Sequence, residues 1–426
     1  MDRLPTQDIQ IHGTAAPGFE SVKALFERNM RNLAERHNQL CIYHKGELVV
    51  DLWASAVPGE TFSPDSLVNI FSSGKSFEAI AIAWAMDQGL IDYNARIVDY
   101  WPEFGANGKE ALTVAELMRH EAGLPAFQVS IDPDDLLTEN IKQNKIGSII
   151  EAHPQTFRKQ GSTREYHAVT RGWIVNEVFR RVDPNGRTIG EFIQETLRQP
   201  LNVDVCVGVK DEELHRVTQV VPLGGKFQLW EGLKPGFAGR RMEKNIFQTA
   251  GRVMQLIPSM RQRTTKGTPP PFTGMNRIGF FNDHSVVKGE TPSANTNATA
   301  RGLAKVAALM SMGGTLNGVE LLSQSAWQAM HDKPDSKDMG FAPSTFTQGG
   351  VAKFDRSAGK NRLERALNNG REGYYGWMGL GGSVFQWHPG QKIGFGYVPT
   401  SLNVLDLFNE RAKLYQAEAL KCAEQI

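Results

Sequence analysis

Ser72 and Lys75 stand three residues apart at the head of Ala79-Ile80-Ala81-Ile82-Ala83-Trp84-Ala85-Met86, an unbroken apolar run. Such a run, rich in Ala and free of Gly and Pro, predicts a helix buried on all sides. Residues at i and i+3 face each other on a helix, with Cβ atoms roughly 5–6 Å apart. The spacing therefore sets a hydroxyl beside an amine on a largely buried support. Desolvation lowers a lysine pKa, and a neutral amine can take a serine proton. The helix N-terminus adds free N–H groups where negative charge would develop. The pair is a candidate nucleophile and base. The plainer possibility is that Ser72 caps a core helix while Lys75 reaches solvent. Gly74-Lys75-Ser76 also matches the tail of a phosphate-cradling loop. There Asn69 occupies the place of the first glycine, and Ile70-Phe71 are too bulky for a permissive loop.

The chain that must position these groups has 426 residues, 40% hydrophobic and 22% charged, as expected for a globular protein. Lys+Arg 47 against Asp+Glu 46 gives a net charge of +1, so overall charge makes no case for nucleic acid or an anionic membrane. Cys41, Cys206 and Cys422 are odd in number and far apart, which argues against a disulfide framework and a zinc site. The first residues, Met1 to Asp8, show no hydrophobic signal region, and the run after Ser72 is too short to span a bilayer. A cytoplasmic, reducing setting is the expectation.

Residues 17–37, with Phe19, Val22, Leu25, Phe26, Met30 and Leu33, predict an amphipathic helix. Leu40 to Trp53 reads as two strands around a Lys45-Gly46-Glu47 turn, with His44 facing solvent. Thr113-Val-Ala-Glu116 is a capping box opening a short helix to His120, which is expected to satisfy carbonyls rather than act as a base. Residues 126–164 are polar and helix-leaning, with Asp132, Asp134 and Asp135 on a solvated surface. Tyr166 precedes a further helix, and Gly190 to Gln199 forms another that Pro200 stops. Gln228 to Asn276, rich in Gly, Pro and basic residues, reads as a long irregular segment or lid, and 333–373 as a second long loop. Thr299 caps a helix over Ala300 to Met312; a hairpin across His388-Pro-Gly-Gln391 and a helix from Leu405 to Ala423 follow. Helix and hairpin at one end, hairpin and helix at the other, predict an α+β fold. One antiparallel sheet would come from both termini, about 16–95 and 285–426, and a mainly helical lobe, about 96–284, would be inserted between them.

Ser72-x-x-Lys75, Tyr166-x-Ala168 and Gly376-Trp-Met-Gly-Leu-Gly-Gly382 occur in this order. Together they resemble the serine beta-lactamase and penicillin-binding superfamily, in particular its class C beta-lactamase-like hydrolases and related esterases. Asp51-Leu-Trp53, Tyr100-Trp-Pro-Glu-Phe104, His120-Glu-Ala-Gly-Leu-Pro125 and Pro292-Ser-Ala-Asn295 extend the likeness from about Phe19 to Val398, within a single expected domain over 16–426. The resemblance implies Ser72 as the acylated nucleophile, Lys75 as its proton partner and Tyr166 as a second acid/base group. It leaves open whether Lys75 or Tyr166 is the acylation base. It also implies an oxyanion hole from the N–H groups of Ser72 and of Leu380 on an edge strand, with Trp377, Met378 and Gly379 beside the substrate.

Two departures bear on substrate. Ala168 stands where relatives carry Asn, and Trp377-Met378-Gly379 where they carry Lys-Thr-Gly or His-x-Gly. Both remove groups that would hold an anionic beta-lactam. The expected activity is hydrolysis of small or medium acyl esters, with no metal or organic cofactor and with homo-oligomers open. The alternatives are acyl transfer, a beta-lactamase or D-Ala-D-Ala peptidase activity, and a non-enzymatic filament-forming scaffold.

Overall fold

A computed structural model describes residues 9–157, 163–355 and 362–426. Both chain ends meet in one sheet. β1 (Gln10–Ala15), β2 (His37–His44) and β3 (Glu47–Ser55) come from the N-terminal end. The order runs β1, β3, β2, then Ile393–Pro399, Val384–His388, Tyr375–Met378, Ala352–Lys353, Pro343–Phe346 and Asp335–Asp338, antiparallel throughout. Lys45 and Gly46, both at positive φ (53° and 83°), make the two-residue turn that matches strand twist in the β2–β3 hairpin.

Side-chain alternation divides the core. Leu40, Ile42, Phe395 and Tyr397 face α1 (Glu20–Asn32) and the C-terminal helix Glu410–Glu424, where Asn29 Nδ2 donates to Tyr415 Oη at 3.1 Å. Cys41 faces the other way, toward the helix Ala300–Ser311. That helix lies close because Gly394 and Gly396 carry no side chain: a Cβ on Gly394 would come within 2.3 Å of Ala308 N. α2 (Lys75–Asp87) sits between sheet and helices. Its Phe77 stacks on Phe385 at 4.6 Å, and its Trp84 packs against Phe179 and Phe192. Packing on every side is why its sequence is apolar all round. A small second sheet places Leu67–Asn69 between Asn297–Ala298 and Val217–Thr218, just ahead of Ser72.

Several elements differ from the sequence expectation. The Gln228–Asn276 stretch is not irregular throughout: helices Gly225–Leu233 and Ile246–Arg261 fill much of it, and the breakers Pro235, Gly236 and Gly239 fall between them. Within 333–373, of which 356–361 lie outside the described residues, three short strands and a helix, Arg362–Asn368, replace the expected loop. Asp335–Asp338 is an edge strand, and its charges hide the strand pattern while protecting the edge. Pro200 does not stop its helix. The turn widens to π geometry over Ile193–Arg198, the helix runs on to Leu201, and Asn202 at φ +48° ends it. His44 is buried rather than solvent-facing, against the Phe19 ring at 5.7 Å. The 126–164 stretch, of which 158–162 lie outside the description, buries Ile131, Leu136, Ile141, Ile146 and Ile150 instead of being only a solvated surface. Leu380 is not on an edge strand: Tyr375–Met378 is interior to the sheet, and Leu380 lies in the turn after it. The last helix begins at Glu410, after Asn409 at φ +51°, rather than at Leu405. Among the described residues no helix is long and apolar enough to cross a membrane.

Candidate active site

Ser72 is delivered by the strand Leu67–Asn69 and a tight turn. Asn69 Oδ1 accepts the Phe71 N–H at 2.7 Å, and Ile70 N–H donates to Thr296 O at 2.8 Å. Phe71 is held at φ +47°, a left-handed conformation that costs a bulky residue about 1–3 kcal/mol. Its ring, edge-on to Phe281 at 5.2 Å, helps hold it there. Ser72 therefore lies in a 3₁₀ turn, Phe71–Gly74, and the α-helix starts at Lys75. Ser72 is half-buried, within reach of a ligand.

Lys75 Nζ is 3.2 Å from Ser72 Oγ, 2.6 Å from Ala168 O and 3.0 Å from Ser293 O. The side chain is buried, and desolvation lowers its pKa to about 7, while the Glu78 carboxylate opposes the fall and Arg171 adds to it. Glu78 is itself buried and held by Arg171 Nε at 2.7 Å and by Ser293 Oγ at 2.5 Å. Arg171 also donates to Met118 O, Gly350 O and Lys75 O. Glu78, Arg171 and Ser293 were not singled out as site residues from sequence. The available signal was a carboxylate at Glu78 inside an otherwise apolar helix, which burial requires to have a partner.

Tyr166 enters from the segment before the helix Thr170–Val182. Its hydroxyl accepts Trp377 Nε1–H at 2.9 Å. Its ring centroid is 4.9 Å from Lys75 Nζ. Burial pushes the phenol up to about 12, against the lowering effect of the neighbouring Ser72 hydroxyl and Trp377 indole. His120, fully buried, backs the Tyr166 ring at 4.9 Å and accepts the His167 N–H at Nδ1.

A hydroxyl, an amine and a phenol thus converge where the sheet meets the helices. The beta-lactamase family model matches residues 22–419. The chain belongs to the beta-lactamase family. It is 29% identical over 332 residues to the Mycobacterium tuberculosis protein named Esterase/beta-lactamase LipL, covering 75% of this chain and 69% of that one. A family VIII carboxylesterase structure superposes with a TM-score of 0.76 at 26% identity, covering 97% of this chain and 100% of the other. A penicillin-binding protein homologue from Caulobacter crescentus gives a TM-score of 0.74 at 25% identity, with coverage of 97% and 100%. This beta-lactamase-family chain has a hydrolase fold with esterases among its neighbours.

The glycine-rich turn of this family member is locked against the serine turn. Ser383 Oγ donates to Ile70 O at 2.6 Å, and Asn409 Nδ2 donates to Gly379 O and Ser383 O. A Cβ on Gly379 would lie 2.2 Å from Ile70 O, so the close approach requires glycine here. Ser383 and Asn409 went unnoticed in the sequence because nothing local marks them. Trp377 is 5% exposed: its indole supports Tyr166 and packs on Phe346 and Phe354. Met378 is likewise buried, with Sδ on Arg371 Nη1. Of the four candidate substrate-binding residues, Leu380 is the exposed one. Among the described residues no group of three or more His, Cys, Asp or Glu side chains could hold a metal ion.

Proposed function

We propose that this chain is a serine carboxylesterase that forms an acyl-enzyme on Ser72 and acts on uncharged esters of small or medium acyl chains. The observation that carries this reading is the setting of Lys75. A neutral amine has two N–H bonds and one lone pair. The carbonyls of Ala168 and Ser293 take the two N–H bonds, and the lone pair is left for the Ser72 hydroxyl. Lys75 is then the acylation base, because a phenol raised to about 12 stays protonated near neutral pH. Ser72 Oγ attacks the ester carbonyl and its proton passes to Lys75. As the C–O bond breaks, the departing alkoxide takes the Tyr166 phenol proton, which the Lys75 ammonium replaces. Water repeats the sequence on the acyl-enzyme. The N–H groups of Ser72 and Leu380 are the proposed oxyanion donors, each such donor being typically worth about 10²–10³ in rate.

Substrate class rests on the surroundings. A cavity of about 190 Å³ opens beside Tyr166 and Ala168, walled by Pro125, Val129, Trp173 and Pro271. Glu165 on its wall is taken up by Thr264, and Arg263 Nε donates to Gly340 O. Thr170, Thr265 and Thr268 add hydroxyls to the lining, and the apolar walls between them suit an alkyl chain. Labelling with a fluorophosphonate followed by peptide mass spectrometry should place the adduct on Ser72. An adduct elsewhere, or ester turnover that survives Ser72→Ala, would remove the proposal.

Two further outcomes follow. The Lys75 pKa is lowered, so its neutral form predominates above pH about 7. The kcat/KM for a p-nitrophenyl ester should therefore rise through that pH and level off above it; a pH-independent profile would count against Lys75 as base. Ala168 has an exposed side chain at the cavity, and Ala168→Phe should fill it. The chain-length profile should then shorten, with kcat/KM falling about fourfold for each methylene excluded.

A further inference from the structure

The helix Ile246–Arg261 is oriented inside out. Its solvent side carries Phe247 at 78% exposure, Met254 at 67%, and Val253, Ile257 and Met260, while Ser259 is buried and Thr249 and Arg252 are half-buried. Leu256 is the apolar residue it buries. The preceding helix, Gly225–Leu233, exposes Trp230 at 65% and Leu229 and Leu233, and Phe237 between the two is 95% exposed. The two helices lie side by side, a Cβ on Gly232 coming within 3.3 Å of Ile246, so these residues are neighbours on the surface and more than the scattered exposed residues of an ordinary one.

The charge around this face is predominantly positive, although Lys244 is paired with Glu410 at 3.0 Å. Residues 225–267 hold nine Lys and Arg against two carboxylates, Glu231 and Glu243. Glu231 is buried and paired with Lys234, and Glu243 lies beside Arg411. Lys226, Arg261 and Lys266 are exposed. Asp338, facing the helix from the sheet edge, accepts a hydrogen bond from Ser259. This is the basic richness of Gln228 to Asn276 already visible in the sequence, which the whole-chain net charge of +1 does not reflect. A second copy of the same face would bring like charges together; an anionic surface would not.

We propose that the face formed by Gly225–Leu233, Phe237 and Ile246–Arg261 docks on an anionic lipid bilayer, lying in the interface with its aromatic and methionine side chains among the acyl chains. No helix of the described residues is long and apolar enough to cross a membrane, and an apolar helix face rimmed by Lys and Arg is the form that lies on one. The proposal stands apart from the esterase reading, because it concerns another surface and is read by binding rather than turnover.

Flotation of the full chain with phosphatidylglycerol/phosphatidylcholine vesicles tests it, with phosphatidylcholine vesicles as control. The native protein should float with the anionic vesicles, stay behind with the neutral ones, and be released at about 0.5 M NaCl, where charge attraction is screened. Phe237→Glu/Phe247→Glu/Met254→Glu alters exposed side chains, so the far-ultraviolet circular dichroism should remain native while the bound fraction falls at least about tenfold. Lys226→Glu/Arg261→Glu should weaken binding by on the order of fivefold per lost cation. Absence of native binding to anionic vesicles would overturn the proposal, as would equal binding to neutral ones or undiminished binding of the triple variant. A dimer in sizing chromatography that the triple variant dissociates, without vesicle binding, would assign the face to self-association instead.

Discussion

Ser72→Ala is expected to lower kcat on a p-nitrophenyl ester by on the order of 10⁵-fold, and Lys75→Ala by a comparable factor. The two losses should not multiply in the double variant, because nucleophile and base act as one unit. The Oγ–Nζ approach of 3.2 Å, closed off behind by two carbonyls, leaves neither group useful alone. Ser72 is half-buried, and loss of its hydroxyl should change folding stability by only about 1 kcal/mol. Parallel measurement of burst kinetics and urea unfolding separates the chemical effect from a folding effect. Equal falls in rate and stability would show that the site had collapsed rather than lost its nucleophile.

Arg171→Ala carries the largest expected cost in stability. Arg171 and Glu78 both have fully buried side chains and meet at 2.7 Å. Removing the guanidinium strands a carboxylate in the core and frees three carbonyls, of Met118, Gly350 and Lys75. Breaking a buried pair from one side typically costs about 3–5 kcal/mol. The urea midpoint should fall accordingly. Glu78→Gln/Arg171→Met should recover part of the loss, since removing both charges is often nearly neutral. The single variant also has a catalytic signature. Arg171 lowers the Lys75 pKa and Glu78 raises it, so loss of Arg171 alone leaves Glu78 to raise it further. The rise of kcat/KM with pH should then move above about 7. A stability loss with an unmoved pH profile would separate the pair's structural role from any influence on Lys75.

The spacing of apolar residues was enough to read α1, α2, the β2–β3 hairpin and the helix after Thr299, because each pattern is local and each matches one buried face. The meeting of both chain ends in one sheet was legible for the same reason. The polar strands at and next to one edge were not: Asp335–Asp338 and Pro343–Phe346 hold few apolar residues, and pairing rather than periodicity defines them. The helices Gly225–Leu233 and Ile246–Arg261 were hidden for the opposite reason. Their apolar positions lie on the outer face, and the flanking Gly and Pro dominate the composition.

For the candidate site, sequence alone determined the Ser72–Lys75 spacing, the motifs shared with the beta-lactamase family, and the loss of a cation at Trp377. Those are properties of adjacent residues. Only the tertiary structure decided that Lys75 is desolvated between carbonyls 93 and 218 residues away along the chain. It also decided that Trp377 supports Tyr166 from within the core, and that Glu78 finds its partner in Arg171. Ionisation and hydrogen bonding depend on what is near in space. The residues that set them here come from segments whose proximity exists only once the sheet and the helices have closed on one another.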